Sequence, residues 1–159
     1  MEKKLDQIAF RFFKLFARYE STLKERGFFN ANKGNIFVDW DRFANEIIGR
    51  NYLNDLGEVA SEAVYILEYP PKKQAVDNFG NIIWAEVPND DRTVQALLSH
   101  IRRMRNNLFH GAKFNGEWFD PKRSQQLLKA GLSILEHYRE WLEEEKRVWL
   151  NYIFRAGND

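Results

Sequence analysis

The stretch from Arg105 to His110 contains the residue types that could carry out chemistry on a phosphate. An arginine guanidinium binds phosphate oxygens through a planar fork of N–H donors. A histidine imidazole can accept or release a proton near neutral pH. Asn106 adds an amide beside the arginine, and Gly111 directly after the histidine is typical of a helix end. The segment therefore predicts an anion-binding site at the end of a helix.

The angular positions of these residues on a helix support that interpretation. At about 100° per residue, Arg105 lies between Leu98 and Ile101 in angle, inside the apolar stripe of the predicted helix. A charge in such a place is costly unless it is paired or used. Asn106 and His110 lie four residues apart on a polar flank. We expect their neighbours there to widen a basic surface: Ser99, His100, Arg102 and Arg103.

Arg105 and His110 are five residues apart in the sequence, which places them roughly 140° apart around an ideal helix. They converge on one phosphate if the helix frays or tightens before Gly111. They also converge if a second copy of the chain brings its own pair across. We favour the second arrangement, in which two copies share the site.

The segment Arg105-Asn106-Asn107-Leu108-Phe109-His110-Gly111 resembles the Arg-x(4–6)-His motif of HEPN domains. These domains are helical bundles that are common in prokaryotic toxin–antitoxin and anti-phage systems. In that family the motif lies near the C-terminus of a helix, often with an asparagine directly after the arginine, as Asn106 is here. The helical pattern of nearly the whole chain is also similar to that of the family.

The resemblance implies a metal-independent endoribonuclease that works as a homodimer without a cofactor. His110 would act as general base toward the ribose 2′-hydroxyl, or as general acid toward the leaving oxygen. Arg105 would stabilise charge on a phosphorane-like transition state, and Asn106 would position the phosphate or hold the histidine. Cleavage would leave a 2′,3′-cyclic phosphate, and an antitoxin protein would be a further partner. The RNA-contacting patch would be Arg102, Arg103 and Lys113.

Some features depart from the family or leave alternatives open. In the subgroup silenced by a nucleotidyltransferase antitoxin, a tyrosine follows two places after the histidine, and here that place is Ala112. Many members also use an acidic residue from another helix, which the sequence does not identify. Arg105 could instead be a structural arginine bonded to carbonyls or a glutamate, with His110 interacting favourably with the helix dipole. The chain would then be a non-catalytic dimerisation or RNA- or nucleotide-binding module.

The elements that must position these residues are mostly helices. The apolar spacing predicts an all-α antiparallel bundle of four to five helices in one domain, residues 1–159. A small hairpin or irregular insertion is expected at about residues 72–91. The first helix is predicted over 5–23, and a connector follows over 28–38. The second helix is capped by Asp39 or Asp41 and ends at Gly49, and the third spans about 56–67. The fourth is capped by Asp90 or Asp91 and ends at Gly111, and after a turn-rich loop with Asn115-Gly116 the last helix begins at Asp120-Pro121.

The composition excludes several classes of protein. Apolar residues make up 44% of the 159 residues and charged residues 30%, as in globular proteins. The absence of cysteine excludes disulfides and thiolate metal sites. The net charge of +1 is low for a protein that coats duplex nucleic acid, so any RNA contact must come from a local patch. Charges interrupt every apolar run, so we expect no signal peptide, no membrane span and a cytoplasmic location.

Overall fold

Helices make up most of the structure, a computed structural model that describes residues 2–109, 113–114, 117–118 and 120–144. The helices are α1 (Glu2–Glu25), α2 (Trp40–Phe43, continued by a π-helical turn over Ala44–Ile48), α3 (Tyr52–Leu56, followed by a 3₁₀ turn over Gly57–Val59), α4 (Ala60–Glu68), α5 (Val94–Phe109) and α6 (Pro121–Glu144). The strands form antiparallel pairs: β1 (Phe29–Asn32) with β2 (Asn35–Val38), β3 (Lys73–Val76) with β4 (Ile82–Ala85), and β5 (Lys113–Phe114) with β6 (Glu117–Trp118).

The long helices α1, α5 and α6 form the walls of one core. The predicted apolar stripe of α1 is confirmed, because the residues at its helical spacing are buried: Leu5, Ile8, Phe12, Leu15, Phe16, Tyr19 and Leu23. Helix α6 packs against α1 and α4, and α5 packs against the same two helices. The Tyr19 hydroxyl donates a hydrogen bond to the Leu135 carbonyl, which ties α1 to α6 inside the core. This packing sets which side of α5 faces α1.

The start of α5 differs from the prediction. The helix was expected to be capped by Asp90 or Asp91, but the capping side chain is Thr93, whose Oγ1 accepts a hydrogen bond from the Ala96 amide at 3.2 Å. The Asp91 carboxylate instead accepts hydrogen bonds from the Thr93 amide and hydroxyl, at 2.9 and 2.7 Å. Sequence alone does not distinguish these residues, since aspartate and threonine both cap helices well. Of the two caps predicted for α2, Asp39 and Asp41, the cap is Asp39. The predicted cap Asp120 of α6 is confirmed.

The connector predicted over residues 28–38 is a β-hairpin. Its turn places Lys33 and Gly34 at φ of 49° and 79°, the pair of positive angles that a two-residue hairpin turn needs. All residues of β1 and β2 except the half-buried Val38 are exposed, so the strands have no buried face and no alternating pattern to predict them. The all-α prediction thus describes the helices and misses this hairpin.

The hairpin predicted within residues 72–91 is confirmed as β3 and β4. Asp77 closes its turn, because one carboxylate oxygen accepts hydrogen bonds from the amides of Phe79 and Asn81, at 2.8 and 2.9 Å. These bonds hold the pKa of Asp77 below its usual value. The third helix, predicted over about residues 56–67, is α4, which starts later, at Ala60, because Gly57 with its φ of 55° interrupts the helical path. The short helix α3 before Gly57 was not predicted.

Gly131 marks the closest approach of α6 to its neighbours. A Cβ atom at this position would lie 3.0 Å from Cε2 of Phe12 and 3.3 Å from Sδ of Met104. We expect Gly131→Ala to lower the free energy of unfolding by about 1 kcal/mol, because crowding in a core costs about 1–3 kcal/mol and exceeds the helix-propensity gain of about 1 kcal/mol. Urea unfolding measures the change. Lys129→Ala, at an exposed position of the same helix, is the control and should change stability by less than about 0.5 kcal/mol. A stabilised Gly131→Ala variant would show that the core is looser than described.

Candidate functional site

Arg105 lies on the side of α5 that faces α1, at the edge of the core. Its Nε is 3.9 Å from Oε1 of Glu20 in α1, and its Nη1 donates a hydrogen bond to Oδ1 of Asn106 at 3.2 Å. The Arg105 side chain keeps 30% of its surface exposed. The prediction that this arginine sits inside the apolar stripe therefore needs correction. Its neighbours in angle, Leu98 and Ile101, are fully buried, whereas Arg105 leaves the core and opens into a cleft.

The position of Glu20 follows from the packing of α1. Tyr19 and Leu23 are buried on the core side of that helix, so Glu20 comes to lie at the helix edge nearest α5. Its second carboxylate oxygen, Oε2, is 4.0 Å from the ammonium of Lys24, one helical turn further on. Glu20 thus lies within ion-pair distance of a cation on each helix, and its distance to Arg105 is longer than a hydrogen bond.

A hollow of about 210 Å³ lies between α1, β2 and α5, and we call it the arginine groove. Its charged residues are three cations, Lys24, Arg102 and Arg105, and one carboxylate, Glu20. Its polar residue is Asn106, and its apolar wall consists of Phe16, Ile36, Phe37, Val38 and Trp40. The groove therefore combines an excess of positive charge with exposed aromatic surface.

Two further hollows continue the arginine groove on either side. The first, of about 370 Å³, lies beyond Arg105 along α1 and is lined by residues such as Phe13, Ala17 and Ser21. The second, also of about 370 Å³, lies beyond Arg102 and Asn106 toward β3, and we call it the polar hollow. Since neighbouring hollows share wall residues, they form one surface track past Arg105.

His100 does not belong to the basic surface where the sequence placed it. It is buried, with 5% of its surface exposed, and its Nδ1 accepts a hydrogen bond from Nη1 of Arg103 at 2.8 Å. Burial, and then the nearby Arg103 charge, lower the pKa of His100 to about 4. Burial also lowers the pKa of Arg103. Arg103 is thus half-buried and anchored to a neutral histidine, whereas Arg102 is exposed.

The histidine of the predicted pair lies outside the described residues. His110, Gly111 and Ala112 are not among them, and Lys113 is described as part of strand β5. Helix α5 continues to Phe109, the residue before His110. No fraying or tightening of α5 is seen between Arg105 and Phe109. The meeting of Arg105 and His110 at one phosphate stays a prediction.

Sequence reasoning missed the partners that other elements bring to Arg105. Glu20 has the spacing of an ordinary surface pair with Lys24, and nothing in the sequence indicates that it faces α5.

Phe37 follows Ile36 directly in strand β2, so one of the two side chains must point away from any single buried face. That pair of adjacent apolar residues is the signal that could have predicted an exposed aromatic. Both are in fact more than half exposed.

A larger cleft, of about 620 Å³, lies on the opposite side of α5, between α4, β4 and α6. It is lined mainly by apolar and aromatic residues, among them Tyr65, Trp84 and Leu128. Its arginine, Arg123, donates hydrogen bonds to the Tyr65 hydroxyl and to the Tyr69 carbonyl, so it braces the end of α4. Its lining also contains charged residues, among them Lys72 and Glu86, which form an ion pair of 3.3 Å.

Comparisons with protein families, with curated proteins and with solved structures each found no match to this chain. Over the described ranges, no group of three or more His, Cys, Asp or Glu side chains is placed to hold a metal ion. None of the described helices combines the length and the apolar character that crossing a membrane requires. The likeness to HEPN domains rests on the Arg105–His110 motif and the helical pattern alone.

The buried His100 makes a prediction about stability and pH. Its folded pKa of about 4 lies below the ordinary value of 6.5, so between these values the unfolded chain binds more protons than the folded protein. The stabilisation is complete above pH 6.5 and is lost as the pH falls toward 4, by up to about 3 kcal/mol. Unfolding free energies should be measured from pH 7 to 4 for the wild type and for His100→Asn, which keeps an acceptor for Arg103. The difference between the two should shrink across this window. A constant difference would contradict the neutral, buried histidine.

Proposed function

We propose that this chain is a metal-independent endoribonuclease of HEPN type, an antiparallel helical bundle that acts as a homodimer on RNA in the cytoplasm. One observation carries the proposal: Arg105 forms an ion pair with Glu20 and a hydrogen bond with Asn106 at the rim of a cation-rich groove with an exposed aromatic wall. The pair with Glu20 is partly exposed and contributes at most about 1 kcal/mol to stability.

The arginine groove matches the chemistry of single-stranded RNA. Phosphate oxygens bind to the guanidinium groups of Arg102 and Arg105, which present N–H donors in a planar fork. Phe37, 56% exposed in β2, offers a face on which an unpaired base stacks. A duplex fits this site poorly, because its bases are already stacked on one another. The substrate class is therefore unpaired RNA, such as a loop or a single strand.

The cleavage step uses the ribose 2′-hydroxyl as nucleophile. His110 removes its proton while the 2′-oxygen attacks phosphorus, and the 5′-oxygen of the next nucleotide leaves with a proton returned by an imidazole. The products are a 2′,3′-cyclic phosphate and a 5′-hydroxyl. Arg105 stabilises the charge that builds on the non-bridging oxygens, and Asn106 positions the phosphate. Glu20, the acidic residue from another helix, acts as a positioning residue for Arg105.

A second copy of the chain supplies the imidazole that meets Arg105. Within one helix Arg105 and His110 diverge, so a twofold contact is the simpler way to bring them to one phosphate. Phe10 and Phe13 on α1 are 66% and 38% exposed and provide apolar surface for this contact, and Phe13 lines the hollow next to the groove. The biological role is that of a toxin or anti-phage effector, with an antitoxin as a further partner. Arg103 and Lys113 extend the RNA contact beyond Arg102.

The activity is tested with purified protein, total RNA and EDTA. The wild type should release discrete fragments with cyclic phosphate ends, and Arg105→Ala and His110→Ala should each lower the rate by about 100-fold or more. Expression of the wild type in a bacterium should slow its growth. Expression of either variant should slow growth less. Arg50→Ala, at an exposed position outside the groove, is the control and should cleave like the wild type.

The outcomes separate the enzyme from its alternative. Cleavage that persists in His110→Ala would contradict the mechanism. RNA binding without cleavage by the wild type would favour a non-catalytic RNA-binding module. A protein that light scattering shows to be monomeric at micromolar concentration would contradict the shared site.

Glu20→Gln tests the positioning role separately. The substitution removes a negative charge next to the groove, so RNA binding at low salt should stay equal or become tighter. The cleavage rate at saturating RNA should fall by about tenfold, because the guanidinium is no longer held in one direction. Single-turnover kinetics and a binding titration give the two values. A positioning role would be contradicted if the cleavage rate and the RNA affinity fell by the same factor. It would also be contradicted if neither of them fell.

A further inference from the structure

Apart from Asn106, no residue that lines the polar hollow has a role in the cleavage step. The hollow lies between strand β3 and the exposed side of α5, and Arg102 and Asn106 separate it from the arginine groove. Lys73 and Gln74 line it from β3, and Ser99 and Arg103 line it from α5. Asn107 completes the lining, so all its residues are polar or cationic and none is a carboxylate. A cavity of about 370 Å³ with this lining selects an anion rich in hydrogen-bond acceptors.

The cations of the polar hollow are available for a ligand to different degrees. In the part of the chain that the structure describes, no carboxylate forms a salt bridge with Lys73 or Arg102. By contrast Lys72, the residue before, is 3.3 Å from the carboxylate of Glu86. Arg103 donates a hydrogen bond from Nη1 to His100, and this bond keeps the Arg103 guanidinium at the wall of the hollow.

The β3–β4 hairpin is fastened so that Lys73 stays beside α5. The Asn107 side-chain amide donates a hydrogen bond of 2.8 Å to the Lys72 carbonyl, which joins the start of β3 to α5. Asp77 closes the far end of the hairpin through its bonds to the turn amides. The hollow is thus built from two elements held in a fixed relation.

We propose that the polar hollow is a second phosphate subsite, which binds the RNA backbone next to the phosphate cut at Arg105. This inference rests on the proposed function and deepens it. A strand bound at Arg105 with a base on Phe37 continues over Arg102 to Lys73, since the two cavities share that wall. The amides of Gln74 and Asn106 bind phosphate or 2′-hydroxyl oxygens. The hairpin thereby makes the enzyme favour strands longer than a dinucleotide.

Binding of RNA that cannot be cleaved tests the subsite without depending on catalysis. A hexanucleotide and a dinucleotide with 2′-O-methyl groups lack the nucleophile, and fluorescence anisotropy measures their Kd at several salt concentrations. Lys73→Gln should weaken hexanucleotide binding by about fivefold and reduce the salt slope by about 0.7, the value for one lost contact to a single strand. Dinucleotide binding should change by less than about twofold. Lys72→Gln is the matched control, because Glu86 already pairs with that lysine.

Cleavage of the unmodified hexanucleotide distinguishes the two proposals. If the wild type cleaves it and Lys73→Gln binds and cleaves it equally well, the subsite is wrong while the ribonuclease stands. If the wild type does not cleave but Lys73→Gln lowers hexanucleotide binding, the ribonuclease is wrong while the subsite stands. An equal effect of Lys72→Gln would show a general effect of charge and overturn the subsite. Failure of the wild type to bind the hexanucleotide would overturn both.

Discussion

The packing of α1 against α5 is the constraint on which the candidate site depends. Because Phe16, Tyr19 and Leu23 must be buried, the intervening Glu20 is carried to the helix edge that faces α5. That carboxylate lies 3.9 Å from Nε of Arg105 and forms an ion pair with it. The arginine groove forms because the charged pair of Glu20 and Arg105 lies at this edge, while the buried faces of α1 and α5 remain in contact.

The contact between α1 and α5 also separates the buried core from the solvent-exposed edge of the two helices. Leu98 and Ile101 of α5 lie in the core, and Arg105, one turn later, leaves it for the cleft. The proposed role of Arg105, which is to bind and release an anion, is compatible with half-burial. A fully buried guanidinium would carry a large desolvation cost, and a fully exposed one would be screened by water and salt. The β1–β2 hairpin adds aromatic surface at this rim, and the β3–β4 hairpin adds a lysine further along it.

The sequence predicted what depends on local periodicity and turn chemistry. The stripe of α1 and the cap Asp120 were predicted correctly, and Asp39 and the β3–β4 hairpin were each one of two predicted alternatives. Apolar spacing and turn residues determine these features locally. The β1–β2 hairpin was missed because its strands bury no face. His100 was placed on the surface because a helical wheel gives the angle of a residue but not the depth of the neighbouring elements that cover it.

The candidate site could be predicted only in part for the same reason. Arg105 and Asn106 were found from their types and spacing, but Glu20 is 85 positions away in the chain and Lys73 lies on a separate hairpin. Their approach depends on tertiary packing, which no local pattern encodes. The histidine at position 110 lies outside the described residues, so the proposed pairing with Arg105 rests on the motif.

A crystal structure of the protein with a hexanucleotide that has a 2′-deoxy nucleotide at the cleavage position tests the central claim most directly. We expect the phosphate after that nucleotide to lie within hydrogen-bond distance, about 3 Å, of the Arg105 guanidinium and of an imidazole of His110, from the same or the second copy. A phosphate bound elsewhere, with Arg105 far from both His110 side chains, would contradict the account.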